Sequence, residues 1–201
     1  MITNMERKPL TKDSFYREGK VRCELWDTEI TVFLFEEEVT LEYAERCAAA
    51  MNAMPEALID AICRAAKAYC LDFCESISDE WRAELKLSVP VNADTPPREL
   101  LKCFHPTGMT VEPPEDPSKI GYQLECACDW EEEHGMEIDV LDDQLVFLSE
   151  FSGESPWGDH TDDLGNYANK LGAKRDGYDR SEYAAPRDNI AERMKPKTHS
   201  N

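Results

Sequence analysis

Apolar and polar residues first fall into a regular pattern at Val21, Cys23 and Leu25, which occupy every second position. Asp27-Thr28 can turn the chain, and Ile30, Val32 and Leu34 resume the alternation through Phe35, so this segment predicts a β-hairpin with one buried and one wet face. The run Glu36-Glu37-Glu38 closes the hairpin and sets negative charge ahead of a helix, where the macrodipole favours it. Thr40 is placed to N-cap a helix over 41–52, and Pro55 fits the first turn of another over 55–77. These are two helices or one kinked one. In the second, Leu58, Ile59, Ile62, Cys63, Ala66, Tyr69, Cys70, Phe73 and Ile77 recur at spacings of three and four, the stripe of a helix packed on a sheet. Residues 79–87 prolong it or form a separate turn anchored by Trp81.

Residues 89–97 read as a linker, and Thr95-Pro96-Pro97-Arg98-Glu99 supplies a cap, early prolines and an early carboxylate for a short helix through Phe104. His105-Pro106-Thr107-Gly108 should end it; Met109 and Val111 predict a brief strand before Pro113-Pro114. From 120 to 151 the two-residue period returns. Ile120, Tyr122, Leu124, Cys126 and Cys128 form one strand, Met136, Ile138 and Val140 a second, and Leu145 to Leu148 a third after the Asp142-Asp143 turn. The expected fold class is therefore α+β: an antiparallel sheet, made of the N-terminal hairpin and the C-terminal three-strand meander, with helices packed on one face. Residues 1–151 form the single expected domain. Beyond it neither period persists, so 152–201 predicts a polar, mobile tail with one helix near Ala184–Met194.

Charge sharpens this picture. The 201 residues carry a formal net charge of −20, and residues 1–151 hold 33 acids against 14 bases, a net of −19. Such a body repels phosphate, which argues against nucleic acid and anionic lipid as ligands. Its electrostatic complement is a basic protein, although excess acid also serves solubility alone. The N-terminal residues lead into no apolar core of a signal peptide, and no apolar stretch is long enough to span a bilayer. A cytoplasmic location with reduced thiols is the expectation for the eight cysteines.

The densest local motif is Trp130-Glu131-Glu132-Glu133-His134-Gly135, between two predicted strands. Here the chain resembles a bacterial family of unknown function whose signature is W-x-x-E-H-G directly between strands, over roughly residues 95–150. Members of that family tend to be encoded near polymorphic toxin genes. The resemblance implies an immunity-type role and no known reaction. Physically, Gly135 can take the positive φ of a bulge, His134 can fix the loop through the backbone, and Trp130 can cover the end of the core. Pairing Glu133 with His134 as acid and base would require a bulge, because strand neighbours point to opposite faces.

Cys70 and Cys74 share a helical face, and Cys126 and Cys128 a strand face, so four thiolates could meet on a metal or respond to oxidants; ordinary core packing explains the same positions. The spacing does not match common zinc sites. Asp139, Asp142 and Asp143 lack the calcium-loop pattern, and Asp159-His160 with Asp162-Asp163 fall in the expected tail. No nucleophile elbow, zinc-protease, P-loop or dinucleotide motif occurs. No catalytic residue, cofactor or metal is therefore assigned. The expectation is a non-enzymatic protein that binds and occludes a basic toxin domain, with Glu36, Glu37 and Glu38 and the group Trp130, Glu131 and Glu132 as candidate partner-binding residues.

Overall fold

Seven strands hydrogen-bond in chain order in the computed structural model, which describes residues 1–169 apart from Asp13, Asp162 and Leu164. They are β1 (Thr3–Pro9), β2 (Phe15–Cys23), β3 (Thr28–Leu34), β4 (Phe104–Thr110), β5 (Gly121–Cys128), β6 (Glu131–Leu141) and β7 (Gln144–Glu150). Between β3 and β4 lie α1 (Leu41–Asn52), α2 (Glu56–Ser76), α3 (Asp79–Glu84) and a short 3₁₀ helix, Pro97–Lys102. The protein is thus α+β, but the sheet is one mixed seven-stranded layer rather than a hairpin beside a meander. Every neighbouring pair is antiparallel except β3 and β4, which run parallel, as the long helical crossover between them requires.

The predicted hairpin is β2 with β3, longer than its apolar core, and α1 and α2 are separate helices. Thr40 caps α1 by accepting from the Tyr43 N–H at 3.1 Å. Val21, Ile30, Val32, Met109, Leu124, Ile138 and Leu148 form the first face of the sheet; with Cys47, Met51, Ile62 and Cys70 of the helices they make one core. Three elements depart from the pattern. β1 lies at the sheet edge and is mostly polar, with charges at Glu6, Arg7 and Lys8. β4 was expected as a helix end with a brief strand at 109–111; it begins at Phe104 and carries Pro106 at an irregularity opposite β5, a position where a strand tolerates the missing N–H. Trp81 is no anchor, being 69% exposed.

The sequence predicts a wet second face for the hairpin. Pairing aligns Glu18, Phe33, Thr110, Gln123, Asp139 and Phe147 in one row across it, and Lys20, Thr31, Gly108, Glu125, Glu137 and Ser149 in the next. Residues 152–160 cover the Gln123, Asp139 and Phe147 row and Glu137, while Glu125 stays exposed, so the folded body does not stop at 151. The chain then rounds the β7 edge. Asn166 donates from Nδ2 to the Val146 carbonyl at 2.7 Å and accepts from the Leu148 N–H at 3.1 Å, while the Tyr167 N–H donates to the Leu148 carbonyl at 2.8 Å. The Tyr167 hydroxyl reaches Asp72 of α2 at 2.9 Å. These bonds occupy backbone groups that an edge strand would otherwise present. The helix expected near Ala184–Met194 lies outside the described residues.

Candidate functional site

The W-E-E-E-H-G motif builds a strand rather than a loop. Asp129-Trp130 make the turn, and β6 begins at Glu131. Trp130 is 1% exposed and meets the rings of Tyr69 and Phe104 edge-on at 5.7 and 6.3 Å, closing the end of the core. Glu131 is also buried, and its carboxylate accepts from the Glu133 N–H at 3.1 Å and the His134 N–H at 2.9 Å. Trp130 and Glu131 therefore belong to the interior, which corrects their assignment to a partner-facing surface; Glu132 is exposed. The His134 ring lies 3.3 Å from Glu131, not Glu133, so the supposed acid and base pair is a local strut.

Gly135 has φ of +74°, and a Cβ there would lie 2.5 Å from the Cys126 carbonyl oxygen. Register shifts at this point, with Cys128 opposite Glu131 but Cys126 opposite Met136. The bulge decides which face each later residue of β6 takes, because a one-residue slip would exchange Met136 with Glu137. In the observed register Glu137 and Asp139 point away from the helices, and both are 0% exposed.

Residues 152–160 explain that burial. The Glu137 carboxylate accepts from the N–H groups of Ser152, Gly153 and Glu154 at 2.9, 2.7 and 2.8 Å. Gly153, at φ of +78°, bends the chain round it. Burial raises the Glu137 pKa, against the pull of these three donors. Gln123 donates to the Glu154 carbonyl, Ser155 hydrogen-bonds to Glu112, and Trp157 rests on Gly121, where a Cβ would lie 2.7 Å from the indole ring. Among the described residues neither Asp139 oxygen has a hydrogen-bond partner of ordinary geometry, and His160 Nε2 stands 4.0 Å away, itself bonded to the Ser155 carbonyl at 2.7 Å. Burial first, then repulsion from Glu137 and Glu112, pushes the Asp139 pKa up to about 9. Pattern reading missed Glu137, Asp139 and His160 because each looks solvated in sequence.

The other half of the second face stays open. Tyr16, Phe33 and Phe35 stack there, with ring centroids 5.7 Å apart for Tyr16 and Phe35 and 5.9 Å for Phe33 and Phe35. Phe35 is 43% exposed, and Glu36, Glu37 and Glu38 follow it in an exposed loop. Arg7 pairs with Glu37 at 2.7 Å, while Arg17 donates to the carbonyls of Glu36 and Glu37. Arg7, Phe15, Tyr16, Arg17, Leu34, Glu36 and Glu37 surround a hollow of about 250 Å³.

The cysteines do not form a comparable site. All eight are buried and unpaired, and Cys126 and Cys128 lie on the core face of β5. Cys74, one turn along α2, and burial raise the Cys70 thiol, and burial raises the thiols of Cys47 and Cys63 to about 11 and of Cys128 to about 12. Among the described residues no group of three or more His, Cys, Asp or Glu side chains is arranged to hold a metal ion. Asp142 and Asp143 form the turn before β7, at φ of +49° and +59°. Asp159 accepts from Thr161 and Asp163 from Gly165, while Asp162 lies outside the described residues. No helix among the described residues is long and apolar enough to cross a membrane.

Fold and surface thus define an acidic α+β protein with one sheet face packed under helices and the other divided between a covered and an open half. The chain belongs to a family described as a domain of unknown function, DUF6985, whose model matches residues 6–155. No curated protein and no solved structure matches it.

Proposed function

We propose that this protein is an immunity-type binding protein that occludes a basic toxin domain, using the open half of its second sheet face. The observation that carries the reading is the stack of half-buried Tyr16 and Phe33 with exposed Phe35, running into Glu36, Glu37 and Glu38, in a chain of net charge −20. Aromatic side chains concentrate binding energy, while surrounding carboxylates set encounter rate and exclude wrong partners. The resemblance of Trp130 to Gly135 to the W-x-x-E-H-G families encoded near toxin genes adds a partner class. Glu132 remains a candidate contact at a separate exposed position.

The test is association with the product of the gene adjacent to its own, followed by stopped flow at increasing salt. The association rate should fall steeply as the Debye length shortens from about 30 Å at 0.01 M to about 8 Å at 0.15 M. A neighbour that does not bind, or an association rate indifferent to salt, defeats the reading.

A further inference from the structure

We infer that the hollow between Phe35 and Trp157 is a receptor for an arginine side chain presented by a protein partner. It holds about 350 Å³ and is lined by Phe35, Glu36, Val111, Glu112, Pro113, Glu115, Ser155 and Trp157. That is the small end of ligand pockets, which run roughly 300–1,000 Å³, and suits one long side chain. Three of the eight lining residues are carboxylates, and none is Lys or Arg. Two aromatic rings, two apolar side chains and Ser155 complete the wall, so a cation entering it meets charge and π-faces together.

The wall is held in place. Ser155 bonds Glu112 and accepts from the Trp157 N–H at 3.2 Å, and Trp157 is seated on the bare backbone of Gly121. Phe35 is braced by the stack with Phe33 and Tyr16. Pre-placed groups of this kind lower the ordering cost of binding. Arginine fits better than lysine, because a planar, weakly hydrated guanidinium stacks on rings and meets carboxylates in a fork, whereas an ammonium stays strongly hydrated. The inference rests on the proposed partner class only for the source of that arginine.

The full chain, labelled with ¹⁵N, would be titrated with acetylated, amidated Gly-Arg-Gly, Gly-Lys-Gly and Gly-citrulline-Gly, following the Trp157 indole N–H assigned from Trp157→Phe. The arginine peptide should move that resonance saturably, the lysine peptide at least several-fold more weakly, and neutral citrulline not measurably. Phe35→Ala and Glu115→Gln, both at exposed positions, should each weaken the arginine response roughly two- to fivefold while leaving the remaining spectrum in place. Citrulline acting like arginine, lysine acting as strongly, or no arginine response overturns the assignment. A salt-sensitive partner complex without an arginine response removes this pocket and leaves the proposed function; an arginine response without a basic partner does the reverse.

Discussion

The two halves of the second sheet face are made of the same kinds of residue and end in opposite states. Over β2 to β4 the row Glu18, Phe33, Thr110 remains half-exposed, with aromatics stacked in the open. Over β5 to β7 the same row continues as Gln123, Asp139, Phe147 and is buried. Nothing in the strands distinguishes them; the difference is made by residues 152–160, whose contacts run from side chain to backbone and leave no period to read. A polar alternation therefore tells which residues share a face, and the rest of the chain decides whether that face meets water.

Removing the cover is the strongest test. Truncation after Phe151 would expose Phe147 and strip Glu137 of its three donors, so it should lower the melting temperature by about 10 °C or more, or prevent cooperative folding. Glu137→Ala isolates the latch: the N–H groups of Ser152, Gly153 and Glu154 lose their shared acceptor, costing on the order of 3 kcal/mol in a denaturant titration. Its exposed neighbour across the strand, Glu125, should tolerate alanine with a change of about 0.5 kcal/mol or less. Equal effects at the two positions would erase the distinction between covered and open.

Gly135→Val comes next, at about 3 kcal/mol, since the substitution adds positive-φ strain to a 2.5 Å contact with the Cys126 carbonyl oxygen. His134→Ala should cost far less. The sharper readout is register. Loss of the bulge would turn Glu137 toward the helices, so the variant should also lose amide protection at 152–154, where an intact register preserves it.

Much of the fold was legible for reasons that also explain the gaps. The helix stripe from Leu58 to Phe73 and the alternations at Val21–Leu34 and Tyr122–Leu148 each face a single core, so local period and final burial agree. β1 was hidden because an edge strand with a polar outer side and Lys and Pro near its end has no apolar face to announce it. β4 was hidden because Pro106 and Gly108 resemble breakers until a register irregularity accommodates them. At the site, Glu36, Glu37 and Glu38 lie exposed where the charge run placed them, whereas Trp130 and Glu131 are interior: the aromatic closes the core and the acid satisfies backbone N–H groups. Burial of Glu137 and Asp139 depends on a segment far along the chain, which no local window contains.

Asp139 should make the covered half sensitive to pH. Its folded pKa of about 9 lies above its ordinary value, so the native state holds a proton that the unfolded chain has released between about pH 4 and 9. Stability is then greatest at low pH and declines as pH rises toward 9, by at most about 1.4 kcal/mol per unit. Glu137, also raised, acts in the same direction. Water entering around the ionised group would reduce the change, so a loss on the order of 2 kcal/mol between pH 5 and 8 is expected. Asp139→Asn should flatten it. The groups facing this carboxyl are Glu112, Gln123, Glu137, Glu154 and His160, and a decline that persists undiminished in the Asn variant would assign the titration to one of the others.

The smallest expected effect on stability belongs to the open half. Glu36, Glu37 and Glu38 are all exposed, and the ion pair they make among the described residues, Arg7 with Glu37, lies on the surface with both side chains more than half exposed. Exposed pairs contribute little, and Arg17 holds this loop through the backbone carbonyls of Glu36, Glu37 and Val39, which substitution leaves intact. Changing all three to Gln should therefore keep the melting temperature within about 2 °C of the parent. If these acids steer a basic partner, the same variant should associate several-fold more slowly at low salt, with much less change in dissociation. Glu132→Gln, at a separate exposed position, gives the matching measurement away from the aromatic stack. A triple variant that melts early would show that the open half relies on its charges for folding, as the covered half relies on Glu137. One that is stable and associates at the parental rate would leave the aromatics without electrostatic guidance.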